Sequence, residues 1–126
     1  MTDTISIYWD DGEIANGSLQ DVIVRIQALD GNSQTVVLIE HAGVSIGVGG
    51  GNNGNVISYY TRDNWNFYNL IGNPSAIGKS ELVAGGQPGD YDNKYIVSLE
   101  TAVKAVSELI KGGKLSFEWE SQYGDD

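Results

Sequence analysis

The sequence of 126 residues contains no cysteine and a single histidine, His41. The absence of cysteine excludes disulfide bonds and thiol chemistry, and it fits a protein of the reducing cytosol. Because His41 has no second histidine or cysteine beside it, the usual zinc-ligand spacings and the cysteine–histidine pair are excluded too. We therefore expect His41 to have a structural or surface role, and we expect no metal, no cofactor and no catalytic group.

Long apolar runs and basic residues are also scarce. No stretch of 18 apolar residues is present, which argues against a membrane helix. The first residues lack the basic start and apolar run of a secretory signal. Seven Lys and Arg stand against 17 Asp and Glu, for a net charge of -10. Nucleic-acid binding is not expected, because phosphate contacts need clustered basic residues. We expect one cytoplasmic domain, 1–126, whose acidity serves either solubility or attraction of a basic partner.

The clearest predicted element is a helix over 98–111. Its apolar residues recur at steps of three and four between Ala102 and Ile110. Ser98 can cap the first turn, and Gly112 can end the helix in the left-handed conformation. From 115 to 120 the pattern alternates instead, which predicts a strand whose apolar side packs on the helix.

The rest of the chain reads as one more helix and a series of strands. The helix is predicted over 18–30, where Ser18 and Asp21 form a capping-box-like start. The glycines between 49 and 54 match G-x-G-x-x-G, but β-branched and aromatic residues follow, so we predict a hairpin turn and no phosphate site. Strands are predicted at 4–9, 35–40, 44–48, 55–61, 63–72, 80–83 and 95–97, with turns at 10–13 and 16–17 and a loop at 85–90.

These elements predict an α+β fold, with an antiparallel sheet of about five to seven strands and both helices packed on one face. The strand ending at Val97-Ser98, the helix after it and the spacing Leu115-x-Phe117-x-Trp119 resemble the first-numbered immunity-protein family of bacterial polymorphic toxin systems. Residues 56–60, after the glycine-rich turn, resemble that family's central strand. The resemblance covers the second half of the chain well and the beginning only in outline.

The resemblance implies a small acidic protein with which a toxin-producing cell blocks its own toxin, often a nuclease or a deaminase. The family includes an inhibitor of a DNA cytosine deaminase toxin. Its motif mostly marks core positions, so it transfers no binding residues. Charge and aromaticity instead suggest the contacts with a basic toxin cleft. The candidates are the exposed members of the set Tyr60, Trp65, Asn66, Asp90, Tyr91, Asp92, Glu118 and Glu120.

Two other functions fit parts of the same pattern. The aromatic residues of 65–68, with asparagines between them, are also typical of a small-molecule or carbohydrate-binding platform. Glu118 and Glu120 fall on one side of the last strand and can pose as the carboxylate pair of a hydrolase. An outward strand face ordinarily carries charges, however. The leading hypothesis is therefore a binding protein that occludes a toxin and is not an enzyme.

The segment 90–93 raises the question of a bound cation. Asp90 and Asp92 are two residues apart, a spacing with which carboxylates in a loop can chelate calcium. Lys94 stands where a further ligand belongs, and the glycine that bends an EF-hand loop is missing. We therefore expect an exposed acidic and aromatic loop at this position.

Overall fold

Ten strands and two α-helices form the part of the chain that the computed structural model describes, residues 4–122. Short 3-10 turns lie at Asn52–Gly54 and Asn93–Tyr95. No helix among the described residues is both long enough and apolar enough to cross a membrane. The helices are α1 (Leu19–Gln27) and α2 (Leu99–Lys111), and the strands are β1 (Ile5–Trp9), β2 (Gly12–Gly17), β3 (Val36–His41), β4 (Val44–Gly50), β5 (Asn55–Thr61), β6 (Phe67–Leu70), β7 (Lys79–Ala84), β8 (Gln87–Asp92), β9 (Val97–Ser98) and β10 (Trp119–Ser121).

The strands form one large antiparallel sheet and one separate hairpin. The large sheet runs in the order β10-β6-β5-β4-β3-β1-β2, and the short β9 pairs with the end of β5. β7 and β8 pair only with each other. The predicted α+β fold, with an antiparallel sheet and two helices, is confirmed.

The core lies between one face of the sheet and the two helices. Val22 and Ile26 of α1, with Ala105 and Val106 of α2, are fully buried and belong to one cluster with the inward residues of the strands. This layer forms because the helices carry an apolar stripe and the strands alternate. The strand residues of the cluster are Ile5, Ile7, Val37, Ile39, Val44, Ile46, Val48, Val56, Tyr60, Leu70 and Val97.

Both helix starts follow the predicted chemistry. Ser18 and Asp21 form a complete capping box, in which each side chain accepts the other residue's backbone N–H, at 3.1 and 2.9 Å. Ser98 accepts the backbone N–H of Thr101 at 3.1 Å. Gly112 ends α2 with a φ of 77°, in the left-handed region that glycine adopts without strain.

Two segments predicted as turns or loops are mostly strands. Residues 12–17 form the edge strand β2, so the turn predicted at 10–13 is confirmed only at residues 10–11, and the turn predicted at 16–17 was wrong. Residues 87–92 form β8, which places Asp90, Tyr91 and Asp92 in a hairpin strand and not in a loop. In both cases Gly, Pro, Asn and Asp lower the strand propensity, and pairing with a neighbouring strand outweighs it.

Two predicted strands are shorter in the structure. Only 67–70 of the segment 63–72 is a strand, because Asp63 Oδ1 accepts the backbone N–H groups of Trp65 and Asn66 at 2.9 and 2.8 Å and closes a turn. Of the predicted strand 115–120, only the last two residues are in a strand, β10, and Glu108 binds the backbone N–H of Ser116 at 2.8 Å in the irregular segment before it.

Asp10 links three parts of the fold. Its carboxylate accepts the backbone N–H groups of Thr35 and Val36 at 2.7 and 3.0 Å and the Thr35 hydroxyl at 2.5 Å. Thr35 Oγ1 accepts in turn the backbone N–H of Gly86, in the β7–β8 turn, at 2.9 Å. Partial burial acts to raise the pKa of Asp10, but these hydrogen bonds outweigh it and hold the pKa below its ordinary value.

The variant Asp10→Asn tests this link by its pH dependence. A carboxyl whose pKa is lowered by folding stabilises the protein above its unfolded pKa, near 4, and that contribution is lost as pH falls through the folded value. We expect Asp10→Asn to be less stable than the wild type at pH 7, and the difference to shrink below about pH 4. Urea unfolding from pH 7 to pH 2.5 measures it.

Asp92→Asn is the matched control, because Asp92 is exposed and, within residues 4–122, has no hydrogen bond or ion pair. Its difference from the wild type should stay near zero at every pH. A difference for Asp10→Asn that is unchanged between pH 7 and pH 2.5 contradicts the assignment.

Candidate functional site

The face of the large sheet that turns away from the helices carries two rows of paired residues. In the first row each residue is the cross-strand partner of the next, from edge strand to edge strand: Glu13, Tyr8, Leu38, Gly47, Tyr59, Asn69 and Glu120. The second row lies two residues along each strand and contains Ser6, Glu40, Ser45, Thr61 and Phe67. Because side chains alternate along a strand, both rows project on the side opposite the core.

The two rows enclose an open-sided groove of about 370 Å³. We call it the open-face groove. Apolar and aromatic side chains form its walls, and polar groups from the second row and the β5–β6 turn line one end. A more polar depression adjoins it and shares Glu40, Ser45 and Asn64. The side chains that define the groove are Tyr8, Leu38, Glu40, Ser45, Tyr59, Thr61, Asn64 and Phe67.

Gly47 is the floor beneath the Tyr59 wall of the open-face groove. The ring of Tyr59 lies so close above it that a Cβ at position 47 would overlap the phenol. Tyr59 also packs edge-on against Phe67, with ring centroids 5.8 Å apart. The position of the Tyr59 wall therefore depends on the missing side chain at position 47.

The groove exposes apolar surface that a sheet normally covers. Tyr8 and Leu38 are each 41% exposed although they are direct partners in the middle of the first row. Trp65, in the β5–β6 turn, is 76% exposed. A cluster of exposed large apolar side chains, in contrast to single ones, is typical of an interaction surface.

One charge faces the groove. Of the described residues that line it, only Glu40 is ionisable to a carboxylate, and within residues 4–122 it has no hydrogen bond or ion pair. Burial raises the pKa of the Tyr59 phenol, so this wall stays neutral at physiological pH. The groove therefore combines neutral walls with one unpaired negative group.

Many other carboxylates are engaged within the protein. Asp63 closes a turn, Glu108 binds Ser116, and Glu100 forms an ion pair with Lys104 at 3.1 Å. A second set has no hydrogen bond or ion pair among the described residues. Surface acids with no internal partner are the ones that remain available to another molecule. They are Glu13, Glu40, Glu81, Asp90, Asp92 and Glu118.

Trp65 and Asn66, two of the predicted contact residues, are exposed in the β5–β6 turn, but Asn66 lines a depression shared with Tyr60 and Tyr68 and not the open-face groove. Tyr60 is a correction: it is only 6% exposed, stacks on Tyr68 at 5.0 Å and packs edge-on against Trp119 at 4.9 Å. The alternation of β5 explains this, because Tyr59 and Tyr60 must point to opposite faces. Tyr60 therefore does not belong to the exposed members of the predicted set.

The β7–β8 hairpin separates the predicted residues that it carries. Asp90 and Asp92 are exposed on one face, where Glu81 and Lys79 are their cross-strand partners. Tyr91 is half-buried and projects from the opposite face, which also carries the buried Leu82. Tyr91 therefore belongs to the packing of the hairpin, and the two aspartates form its outer surface.

Glu118 and Glu120 are not equivalent. The side chain of Glu118 is exposed and has no hydrogen bond or ion pair among the described residues. Glu120 accepts the hydroxyl of Tyr95 and forms an ion pair with Lys94 at 3.4 Å. The hydrogen bond from Tyr95, with a smaller contribution from Lys94, holds the pKa of Glu120 below its ordinary value. Because Glu120 is held ionised by its own partners, it lacks the raised pKa that a general acid needs.

The structure also describes the surroundings of the other candidates from the sequence: the aromatic segment 65–68, a cation site and His41. Phe67 projects into the open-face groove whereas Tyr68 stacks on Tyr60 in the core, so the segment 65–68 does not form one flat platform. Within residues 4–122, no group of three or more His, Asp or Glu is arranged to hold a metal ion. His41 lies with Nδ1 3.0 Å from the carbonyl oxygen of Thr4, a contact between the start of the chain and the end of β3.

Sequence reasoning missed most of the groove. Alternation in the first strand indicated the outward position of Tyr8, but Leu38 and Glu40 lie in a segment, 35–40, that was predicted as a strand from its continuous apolar run. The pairing that joins these residues was not predicted. Comparison with known proteins adds no residues: no family model matches this sequence, and no curated protein matches it.

The variant Gly47→Ala tests the dependence of the Tyr59 wall on the floor. The new Cβ should push the ring out of the groove, and since burial raises the pKa of Tyr59, that pKa should fall toward its ordinary value. Stability is a poor readout, because the gain in strand propensity over glycine, about 0.5–1 kcal/mol, offsets the cost of moving the ring. NMR titration of the tyrosine ring carbons between pH 8 and pH 11.5 measures the pKa.

Ser45→Ala is the control on the same strand and the same face. Ser45 forms no side-chain hydrogen bond among the described residues, so the pKa of Tyr59 should remain raised in this variant. An unchanged pKa of Tyr59 in Gly47→Ala contradicts the role of the floor.

Proposed function

We propose that this protein is an immunity protein, a non-enzymatic inhibitor that binds a basic bacterial toxin and occludes its active-site cleft. The observation that carries the proposal is the open face of the sheet, where apolar side chains lie uncovered and the acids Glu13 and Glu40 have no internal partner. Apolar surface that the fold leaves open is suited to slow dissociation, and unpaired charge is suited to fast association.

The net charge supports a basic partner. A chain with a charge of -10 is repelled by nucleic acid and attracted to the cationic channel that a nuclease or a nucleic-acid deaminase needs for its substrate. A preformed acidic surface that competes for this channel inhibits without chemistry of its own. An inhibitor of this kind has to act in the compartment where the toxin would otherwise damage its producer, so we expect the protein in the cytoplasm.

The outer face of the β7–β8 hairpin gives independent support. Glu81 and Asp90 are direct cross-strand partners, and both are exposed. Like charges in this position are destabilising in the free protein. A basic partner that neutralises both carboxylates removes this repulsion, so the pair favours association with a cationic surface.

The test is binding to the toxin encoded beside the gene. We expect a stable complex that abolishes the activity of the toxin. The association rate should fall about tenfold between 50 and 300 mM salt, because charge steers the encounter. Stopped-flow association and an activity assay of the toxin measure both effects. A purified toxin from the neighbouring gene that neither binds the protein nor is inhibited by it contradicts the proposal.

Charge reversal locates the steering surface. Asp90→Lys and Asp92→Lys should each slow association severalfold. The free energy of unfolding should change by no more than about 1 kcal/mol, rising for Asp90→Lys, which relieves the repulsion with Glu81, and falling for Asp92→Lys, which faces Lys79. Glu100→Lys changes the net charge equally but lies on α2, in the helical layer, and its ion pair with Lys104 is a surface pair of little stability. If the association rates of all three variants fall equally, the hairpin is not the steering surface.

A further inference from the structure

We propose that the open-face groove receives one arginine side chain of the partner, with Glu40 as its counter-ion. This inference rests on the proposed function for the identity of the partner, but the chemistry of the groove supports it separately. Three observations carry it: the neutral walls, the single unpaired carboxylate, and the way this fold already places its own arginines.

The walls fit a long side chain with a flat end. Tyr8, Leu38, Tyr59 and Phe67 present rings and an aliphatic group around a volume of about 370 Å³, within the range of small-ligand sites. An arginine buries its methylene stem against such walls and keeps its charged end at a polar site. The guanidinium plane can also stack on a tyrosine or phenylalanine ring.

The polar end of the groove offers acceptors and no competing cation. Glu40 has no partner within residues 4–122, and the side chains of Ser45 and Asn64 form no hydrogen bond there. A guanidinium has five N–H donors and can pair with a carboxylate through two parallel hydrogen bonds. The oxygens of Glu40, Ser45 and Asn64 can accept the donors of one guanidinium together.

The chemistry also rejects other occupants. An anionic side chain would be repelled by the negative charge of Glu40. A neutral apolar side chain would fill the walls but desolvate Glu40 without pairing it, which is costly. A lysine pairs as a point charge but lacks the plane that stacks on the rings.

Both arginines of this chain already adopt the predicted arrangement on other surfaces. The guanidinium of Arg25 lies 4.4 Å from the ring centre of Trp9, and that of Arg62 lies 5.0 Å from the ring centre of Tyr60. In both pairs the cation lies over the face of an aromatic ring. The open-face groove has the rings and, in addition, an unpaired carboxylate, but no arginine of its own.

The experiment uses a small probe, so that it does not depend on the toxin. N-acetyl-arginine methylamide is titrated into the ¹⁵N-labelled full-length protein, and N-acetyl-citrulline methylamide serves as the neutral isostere. We expect saturable shifts of the backbone amides of residues 38–40, 45–47 and 59–61 with the arginine probe, and none with citrulline. Equal shifts with citrulline, or no saturable shifts with arginine, overturn the inference. Equal binding of the corresponding lysine probe overturns the preference for a guanidinium.

Glu40→Gln supplies the second test. It removes the charge without removing the side chain, and we expect it to weaken binding of the arginine probe about tenfold or more. Glu100→Gln is the matched control, because it also removes the charge of an exposed carboxylate but lies on α2, on the helical side of the sheet, where its surface ion pair with Lys104 contributes little stability. It should bind the probe as the wild type does. Equal binding by Glu40→Gln and the wild type overturns the role of Glu40.

The same variants separate this inference from the proposed function. Binding of the arginine probe by a protein that does not bind the neighbouring toxin would support the groove and contradict the immunity role. Tight binding of the toxin that Glu40→Gln leaves unchanged would support the immunity role and contradict the groove. If Glu40→Gln binds neither the arginine probe nor the toxin and its free energy of unfolding is intact, the groove and the immunity role are both supported.

Discussion

The alternation of side chains along β3, β4 and β5 is the constraint on which the rest of this structure depends. A large side chain that points from one of these strands toward the helices cannot also fill space on the opposite face. On β4 the inward positions are Val44, Ile46 and Val48, and the outward ones are Ser45, Gly47 and Gly49. The outer face of β4 is therefore almost bare, while the strands on either side of it carry the outward side chains of Leu38 and Tyr59, and the groove forms among these side chains.

The β7–β8 hairpin shows what the fold does with the other end of this bare face. Ala84 sits against Gly49, Leu82 lies near Gly50 and is buried, and Asn52 accepts the backbone N–H of Val83 at 3.0 Å. The hairpin thus covers Gly49. Gly47, two residues before it, lies under the ring of Tyr59 from the neighbouring strand β5. The covered half serves stability, and the half left open is the part available to a partner.

Local chemistry was predictable from the sequence, and pairing was not. The caps at Ser18 and Ser98, the stop at Gly112 and the glycine-rich hairpin after β4 follow from short-range rules, and the structure confirms each of them. The strands at 12–17 and 87–92 were missed because a partner strand, not composition, makes them strands. The groove was missed for the same reason: Leu38 and Glu40 become groove residues only when β1 and β4 flank β3.

The predicted contact residues divide along the same line. The charge and exposure of Asp90 and Asp92 could be predicted from the sequence. Glu120 is not available to another molecule, because it binds the hydroxyl of Tyr95, 25 positions away, and this contact could not be predicted. A net charge of -10 counts both kinds of acid equally. The structure distinguishes them: acids such as Asp10 and Asp63 are bound to backbone N–H groups and build the fold, while acids such as Glu40 and Asp90 do not contribute to it. The second kind costs repulsion and returns no internal contact, and its members on the open face and the outer hairpin are the acids on which the proposed binding of a cationic partner depends.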